Sequence, residues 1–590
     1  MTTLEQSEDF DVGDNMEFSK KVKKSYLKEL RERNITLPST LLVFYAIPIT
    51  MSVSIGQGII MELFHYCPKT IGEDKHLDPF EQWLKEFVIF CLHPLIGWLA
   101  DTKLGRERTI SLSLWLTWLG TAIQTISHCI RYDYCTIDWI SKTATYGLST
   151  VALVLLIIGI ACYQSIILAY GLDQLPDAST GQIKRFVHWL TWGFFVGFFF
   201  NYLNVVKTVG ELSRDLILGT MLGVFGILSV ALVLHIHLKD KFYPSGKVNR
   251  NPYKTVLNVL KYAWKHKKAE NRSAFTYWEN KAPSRIDYAK IKYGGPFSES
   301  DVEDTKLSWK IVVVFLSLGG LFIPHTTVVS QGAYYGFQFH GASDHVHGYG
   351  AYILWQTFYQ IGIISIPVLD LIILPLFPKI EYFFTNSFKG FCIAIVLLAL
   401  GLVSMGIIEA VAATMKGSDD IQCHLSFTNF PNSDFKLSYF YFIIPWLFVG
   451  MSAFFILLKG FEFICSQAPH EMSGMLTGAF WLIRAIFISI GTPLTLLNIS
   501  ALKLPCTFWV IVVQLCVCIP FWILFLIASK WYQKRVREQD CPIRTITERR
   551  YSKFLHNSYQ IGGIQEVFHK YDLPVNGWSD NTLPIYPNSN

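Results

Sequence analysis

The chain has 590 residues, 51% of them hydrophobic and 16% charged, with a mean hydropathy of +0.32 and a formal net charge of +6. A soluble chain of this length would divide into several domains with charged surfaces, so the composition excludes that class and points to lipid as the main solvent. The modest positive charge sits in flanks and loops and calls for no nucleic acid.

Residues 1–37 are acidic and then basic (Lys20, Lys21, Lys23, Lys24, Lys28, Arg31, Arg33) with no apolar core, so the first membrane helix is expected to act as the insertion signal. Apolar runs of roughly 20 residues suffice to cross hydrocarbon as helix. They lie near 40–63, 83–100, 109–131, 147–170, 185–206, 214–237, 309–333, 349–377, 389–413, 438–463, 471–497 and 506–530, about twelve spans. Lysine and arginine crowd residues 20–33, 103–108, 184–185, 239–292 and 530–553, while the alternate loops carry few. The positive-inside rule then places both termini in the cytosol, in agreement with an even number of spans. The expected fold class is an all-α membrane protein with two bundles of six helices. The expected domains are a cytosolic segment 1–37, a first bundle 38–238, a cytosolic loop 239–308, a second bundle 309–530 and a cytosolic tail 531–590. Within the loop, Tyr253 to Lys267 reads as an amphipathic helix with Val256, Leu257, Val259, Leu260 and Ala263 on one side and lysines on the other.

Between spans two and three stands Gly97-Trp98-Leu99-Ala100-Asp101-Thr102-Lys103-Leu104-Gly105-Arg106-Glu107-Arg108-Thr109. A charged, glycine-bracketed turn there reads as a hinge between antiparallel helices. Its glycines leave room for a neighbouring backbone, and Asp101 can face the positive N-terminus of another helix, an attraction that breaks when the helices part. Gly97, Asp101, Gly105 and Arg106 are therefore gating candidates.

Ionisable residues inside membrane spans are rare and costly, so each is a functional hypothesis. Arg484 falls near the middle of span eleven, where it can bind a carboxylate or pair with an acid on another helix. His325 follows Pro324 in span seven, where a break would free carbonyls toward a cavity. His93 precedes Pro94 in the same way. Lys459 and Glu462 stand three apart on span ten and can pair on one face. Trp481 precedes Arg484 by three and is a candidate cavity wall. Twelve cysteines show no metal-ligand spacing, and no phosphate-cradling loop or nucleophile motif is present. An enzyme is not expected; Gly294-Gly295-Pro296 reads as a turn.

Several stretches in order resemble the proton-dependent oligopeptide transporter family, a branch of the major facilitator fold. They are Gly97 to Arg106, Gly171-Leu172-Asp173-Gln174 closing helix four, and Arg185-Phe186-Val187-His188-Trp189-Leu190-Thr191-Trp192 opening helix five. Ile366-Pro367-Val368-Leu369-Asp370 with Pro375 looks like its helix eight, and Phe461-Glu462-Phe463-Ile464-Cys465-Ser466-Gln467-Ala468-Pro469 like its helix-ten ending. Tyr293-Gly294-Gly295-Pro296-Phe297 with Val302-Glu303-Asp304 looks like the animal peptide/histidine transporters of solute carrier family 15. The resemblance covers about residues 40–535. It implies alternating access of two bundles, gating or capping by Asp173 and Asp370, and a proton as coupling ion with no other cofactor.

The departures are as informative. The family's helix-one glu-x-x-glu-arg motif corresponds to Ile47–Gly58, which has no ionisable side chain. Its helix-four lysine falls on Gln164, its helix-ten glutamate on Ala453 and its helix-five asparagine on Phe195, to within about a residue. A peptide is a zwitterion, and a membrane cavity must offset the desolvation of both termini. Either the substrate is less charged, or other residues took over. Candidate substrate contacts are thus Gln164, Phe195, His325, Trp481 and Arg484. Three readings follow: a secondary transporter of small peptides, histidine or related solutes; an uncoupled facilitator of a neutral solute; and a non-transporting scaffold or sensor whose residues 239–308 or tail hold a cytosolic protein. The expected partners are otherwise a small-molecule substrate and the lipid of a plasma or endolysosomal membrane.

Overall fold

The computed structural model describes residues 35–66, 91–131, 142–175, 178, 180–199, 214–243, 251–266, 284–324, 339–340, 357–377, 386–416, 435–501 and 507–532. All of these lie in one compact unit, Met1–Gln533. The expectations for His325, for most of 1–37 and for nearly all of the 531–590 tail fall outside the described residues.

Twelve long helices occupy the expected spans among the described residues. The first six are α1 (Leu37–Tyr66), α2 (from 91 through a π-turn at Ala100–Leu104), α3 (Arg106–Arg131), α4 (Lys142–Asp173), α5 (Thr180–Phe199) and α6 (Arg214–His237). After the linker helix α7 (Pro252–Lys265) come α8 (Glu299–Pro324), α9 (Thr357–Leu376), α10 (Ser387–Lys416), α11 (Ile443–Gln467), α12 (Ser473–Ala501) and α13 (Thr507–Trp531). Nine are long and apolar enough to cross a membrane by length and composition alone. The outward faces are apolar, as with Val230 and Val233 on α6 and Ile523 and Ile527 on α13. Only lipid tolerates such a surface. The molecule is a multi-pass, all-α membrane protein; among the described residues, sheet structure is confined to a parallel pairing of Phe339–His340 with Phe435–Ser438 and an isolated bridge from Lys290 to Phe297.

Small residues allow the helices to close on each other. Ser113 Oγ donates to the Gly159 carbonyl at 2.6 Å, and a Cβ built on Gly159 would stand 2.6 Å from Thr117 Cγ2. In the second half, Ser452 Oγ donates to the Ala394 carbonyl at 2.9 Å. Such contacts replace the hydrophobic drive that lipid does not supply.

The linker folds on a small core of its own. Val259, Ala289 and Val302 are fully buried together, with Tyr262, Ile286 and Phe297 around them. Leu257 is 64% exposed and so departs from the face expected for it. At 100° per residue it lies roughly 160° around the helix from Val259, while Val256 and Ala263 share the inner side. The first turns of α8 also lie inside what the charge pattern marks as loop. Ser298 caps them, accepting from Asp301 N–H, and Glu299 and Asp301 favour the N-terminal dipole. Gly294, at φ 84°, takes the left-handed turn, and a Cβ on Gly295 would meet the Ala289 carbonyl carbon at 2.2 Å, so this turn requires both glycines.

Lys290 Nζ reaches Asp287 at 3.0 Å and Glu303 at 2.5 Å, and Lys306 bonds Asp287 and Glu303 from the next helix. Burial disfavours the charge on Asp287, yet the bonds from Lys306, Ser284 and Lys290 outweigh it and hold this carboxyl well below the usual carboxylate range. Burial likewise opposes the Lys290 ammonium, and Glu303 and Asp287 outweigh it, raising that amine. Because the Asp287 carboxyl is depressed on folding, its contribution is complete above the unfolded carboxylate pKa and fades only as pH falls toward the folded value. The linker should therefore keep its fold from neutral down to about pH 5. Asp287→Asn should speed hydrogen exchange across 284–298 by about tenfold at neutral pH, measured by mass spectrometry in detergent or nanodiscs.

Candidate functional site

The hinge residues converge. Arg106 Nε lies 2.9 Å from Asp101 Oδ1, and Arg106 Nη1 lies 2.9 and 3.0 Å from the two oxygens of Asp173. One guanidinium thus ties the end of α2 to the end of α4, with Asp101 and Arg106 both buried. Gly105, at φ 88°, turns the chain from the π-turn into α3. Gly97 and Gly474 bring α2 against the start of α12: a Cβ on Gly97 would stand 2.6 Å from the Gly474 carbonyl oxygen. A Cβ on Gly474 would stand 2.6 Å from Asp101 Oδ2. Asp101 therefore faces the first turn of a helix in the other half, where the N-terminal dipole attracts a carboxylate.

A second cluster joins the halves at the ends of α5, α9 and α11. Asp370 sits in the π-turn Val368–Ile373, buried. Its Oδ2 accepts from Trp189 Nε1 at 2.9 Å and lies 3.1 Å from Arg185 Nε, while its Oδ1 is 3.3 Å from His188 Nδ1. The other ring nitrogen, His188 Nε2, is 3.1 Å from Glu462 Oε1, and Glu462 Oε2 accepts from Lys459 Nζ at 2.6 Å. The expected Lys459–Glu462 pair forms locally on α11, and its carboxylate also reaches α5. The aliphatic stem of Lys459 runs past α10, where a Cβ on Gly390 would stand 2.4 Å from Lys459 Cγ. Trp192 Nε1 adds a bond to the Ile363 carbonyl at 3.1 Å.

The two clusters share a plan. The second helix of each half, α2 or α9, ends in a π-turn carrying a buried aspartate, and each aspartate faces the opening of a helix in the other half. π-turns recur where a helix must re-aim a side chain for a task. His188 and Arg185 had no separate signal as site residues. The sequence offers only a histidine on an apolar helix, and its partners lie 182 and 274 residues away.

Between these clusters and the other face, the halves meet in an aromatic layer. Trp481 is almost fully buried, with ring centroids 6.4 Å from Phe194, 6.0 Å from Phe461 and 5.9 Å from Phe480. Phe195 packs on Phe454 at 6.3 Å and against α9, where a Cβ on Gly362 would stand 3.0 Å from its ring. Gln164 Oε1 is 2.9 Å from His93 Nε2, and the His93 ring lies 5.9 Å from Trp481. Arg484 places its guanidinium 5.3 Å from the Trp481 ring centroid, within cation–π reach. Gln164, through His93, and Arg484 thus meet at Trp481, while Phe195 packs against Phe454 and Gly362.

The linker is fastened beside it. Tyr253 OH donates to the Pro94 carbonyl at 3.0 Å and Trp98 Nε1 to Asn251 Oδ1 at 2.9 Å, tying α7 to α2. Gln174 exchanges two bonds with the Tyr243 backbone at 2.8 and 3.0 Å, holding the linker's entry to the end of α4.

Comparison with known proteins agrees with this geometry. The family model PTR2, POT family, matches residues 107–502. Solute carrier family 15 member 3 of Mus musculus is 23% identical over 451 residues, 69% of this chain and 74% of the relative. Solute carrier family 15 member 5 of Homo sapiens is 27% identical over 233 residues, 39% and 38% of the two chains. Among solved structures, an auto-inhibited POT family peptide transporter superposes with a TM-score of 0.54 at 12% identity, covering 85% of this chain and 98% of that one. The POT family transporter PepTSo gives 0.52 at 16% identity, covering 84% and 99%. These likenesses identify the fold as that of the major facilitator transporters.

The Asp101–α12 contact predicts a specific defect. Gly474→Val should push the Asp101 carboxylate aside and open this end of the molecule. The expected readout is faster thiol labelling of a cysteine placed at Ile166, a buried α4 residue that borders Gly474, in a cysteine-free background, by about tenfold. Gly147→Val, at a glycine with open space around it, should leave labelling unchanged.

Proposed function

The chain belongs to the POT family, and from that premise we propose that it moves a small carboxylate-bearing solute, a short peptide, histidine or a relative of them, across a membrane by rocking its two six-helix halves. The observation that carries this reading is the division of labour between the polar clusters and the centre. The bonds from Arg185, His188 and Trp189 to the other half, and the Asp101 contact with α12, lie at the linker end. The centre between the halves is aromatic. Ionic contacts that form and break at one end, over a weakly polar middle, suit a gate above a binding site.

In this reading Asp101, Arg106, Asp173, Lys459 and Glu462 serve the gate, with Gly97 permitting the close approach and Gly105 the turn into α3. Basic residues in the linker favour a cytosolic position for that end. Arg484 is the cation that meets the solute's carboxylate, and Trp481 with Phe195 covers its apolar part. Gln164 and His93 supply neutral hydrogen bonds where the family carries a lysine. A site built this way favours cargo with fewer charges to desolvate than a free zwitterion.

Uptake into proteoliposomes tests it. Dipeptides, histidine and their uncharged analogues should be compared with and without a pH gradient. Arg484→Gln should lower kcat/KM for the carboxylate-bearing solutes by about tenfold or more, because a buried charged hydrogen bond is lost. It should spare the uncharged analogues. Equal loss for both would remove Arg484 from substrate recognition. No flux of any of these solutes, with a protein captured by 239–308 instead, would replace transport by the scaffold reading.

A further inference from the structure

We propose that His188 is the proton-binding site of this protein, and that a proton held there locks the linker end shut. This rests on the gate reading of the cluster and adds the ion that operates it.

The argument is one of hydrogen-bond inventory. Asp370 and Glu462 each have one oxygen already served: Trp189 and Arg185 supply Asp370 Oδ2, and Lys459 supplies Glu462 Oε2. The remaining oxygen of each carboxylate faces a different nitrogen of the same imidazole, at 3.3 and 3.1 Å. An ionised carboxylate only accepts, and a neutral imidazole has a single N–H. One of the two contacts would then set a nitrogen lone pair against an oxygen lone pair. Both bonds form only when the ring carries a proton on each nitrogen. The closed arrangement therefore takes up one proton more than the neutral ring holds.

Charge points the same way. The groups facing His188 are Asp370 on α9 and Glu462 on α11. Behind them stand Arg185 on α5 itself and Lys459 on α11. Two cations and two anions balance with a neutral ring, so the imidazolium adds the one net charge. It is placed between the two carboxylates rather than beside either cation. His188 is buried, so that charge is shielded from water while the cluster is closed. Opening separates α5 from α9 and α11 and admits water, to which the imidazolium gives up its proton. The neutral ring left behind can serve only one carboxylate at a time. By linkage, a proton that prefers the closed form favours closure at low pH, and closure weakens as pH rises.

This also accounts for a stretch of α1 that lacks ionisable residues. Ile47–Gly58 has none, so a proton has to be held elsewhere if this protein responds to one. His188 places it at a joint whose opening it can control, because the same ring touches both sides of the joint.

Pulsed spin-label distances test the proposal in the full-length protein in nanodiscs, with labels at the exposed positions Arg108 and Glu471 on the two halves. The wild type should show the short-distance population falling by about threefold between about pH 5.5 and about pH 8. His188→Gln should abolish that dependence, since its amide does not titrate. His188→Arg should hold the short distance at both pH values, because a guanidinium donates to two carboxylates and stays charged. The Arg variant also shows that a loss of response in the Gln variant is not a folding failure. A pH response that survives in His188→Gln, or a wild type with none, overturns the proposal. The distances need no substrate. A pH-dependent joint that moves no solute would therefore keep the proton site and sink the transport reading, and flux with no His188 dependence would do the reverse.

Discussion

Two buried aspartates hold the halves of this protein together at one end. Asp101 faces the first turn of α12, and Asp370 faces the opening residues of α5. A carboxylate buried without partners would cost several kcal/mol, so each is surrounded: Asp101 by Arg106, Asp370 by Arg185, Trp189 and His188. Their value lies less in net stability than in register. A dipole or imidazole reached across the joint is available in one relative placement of the halves and is lost when they separate. Apolar packing alone would let the halves slide.

The centre follows a different logic. Around the joint between the halves stand Gln164, Phe195 and Trp481, none of which carries a charge. Neutral and aromatic side chains fill the space without the desolvation cost of an empty ionic site. The consequence is a concentration of charge at the linker end and its near removal from the middle, with Arg484 beside Trp481 as the exception among the described residues there. Under the proposed transport reading, a solute entering such a middle would be gripped by shape and by one cation rather than by paired charges.

The linker is more than a tether. It begins on α4 through Gln174, crosses to α2 through Asn251 and Tyr253, and ends as the first turns of α8, where Lys290 and Lys306 bind Asp287 and Glu303. It therefore bonds directly to the first half and continues along the chain into α8 of the second. Any change in their relative placement has to be absorbed by this strap, which gives the linker mechanical access to the joint.

The chain's local chemistry decided the helices, because apolar length is a property of consecutive residues and lipid selects for it. The same holds for the hinge. Gly97, Asp101, Gly105 and Arg106 are close in sequence, so their spacing already specified a turn, and Asp173 and Glu462 were visible through motif resemblance. The linker helix was legible too, except at Leu257, which lies nearly opposite Val259 around the helix and faces outward. Tertiary structure alone decided the rest. Gln164 became a partner of His93, Phe195 a plug against Gly362 and Phe454, and His188 a bridge between Asp370 and Glu462. None of these is inscribed in a local pattern: a histidine's role depends on which acids stand at its two nitrogens, and here both are supplied by helices hundreds of residues away.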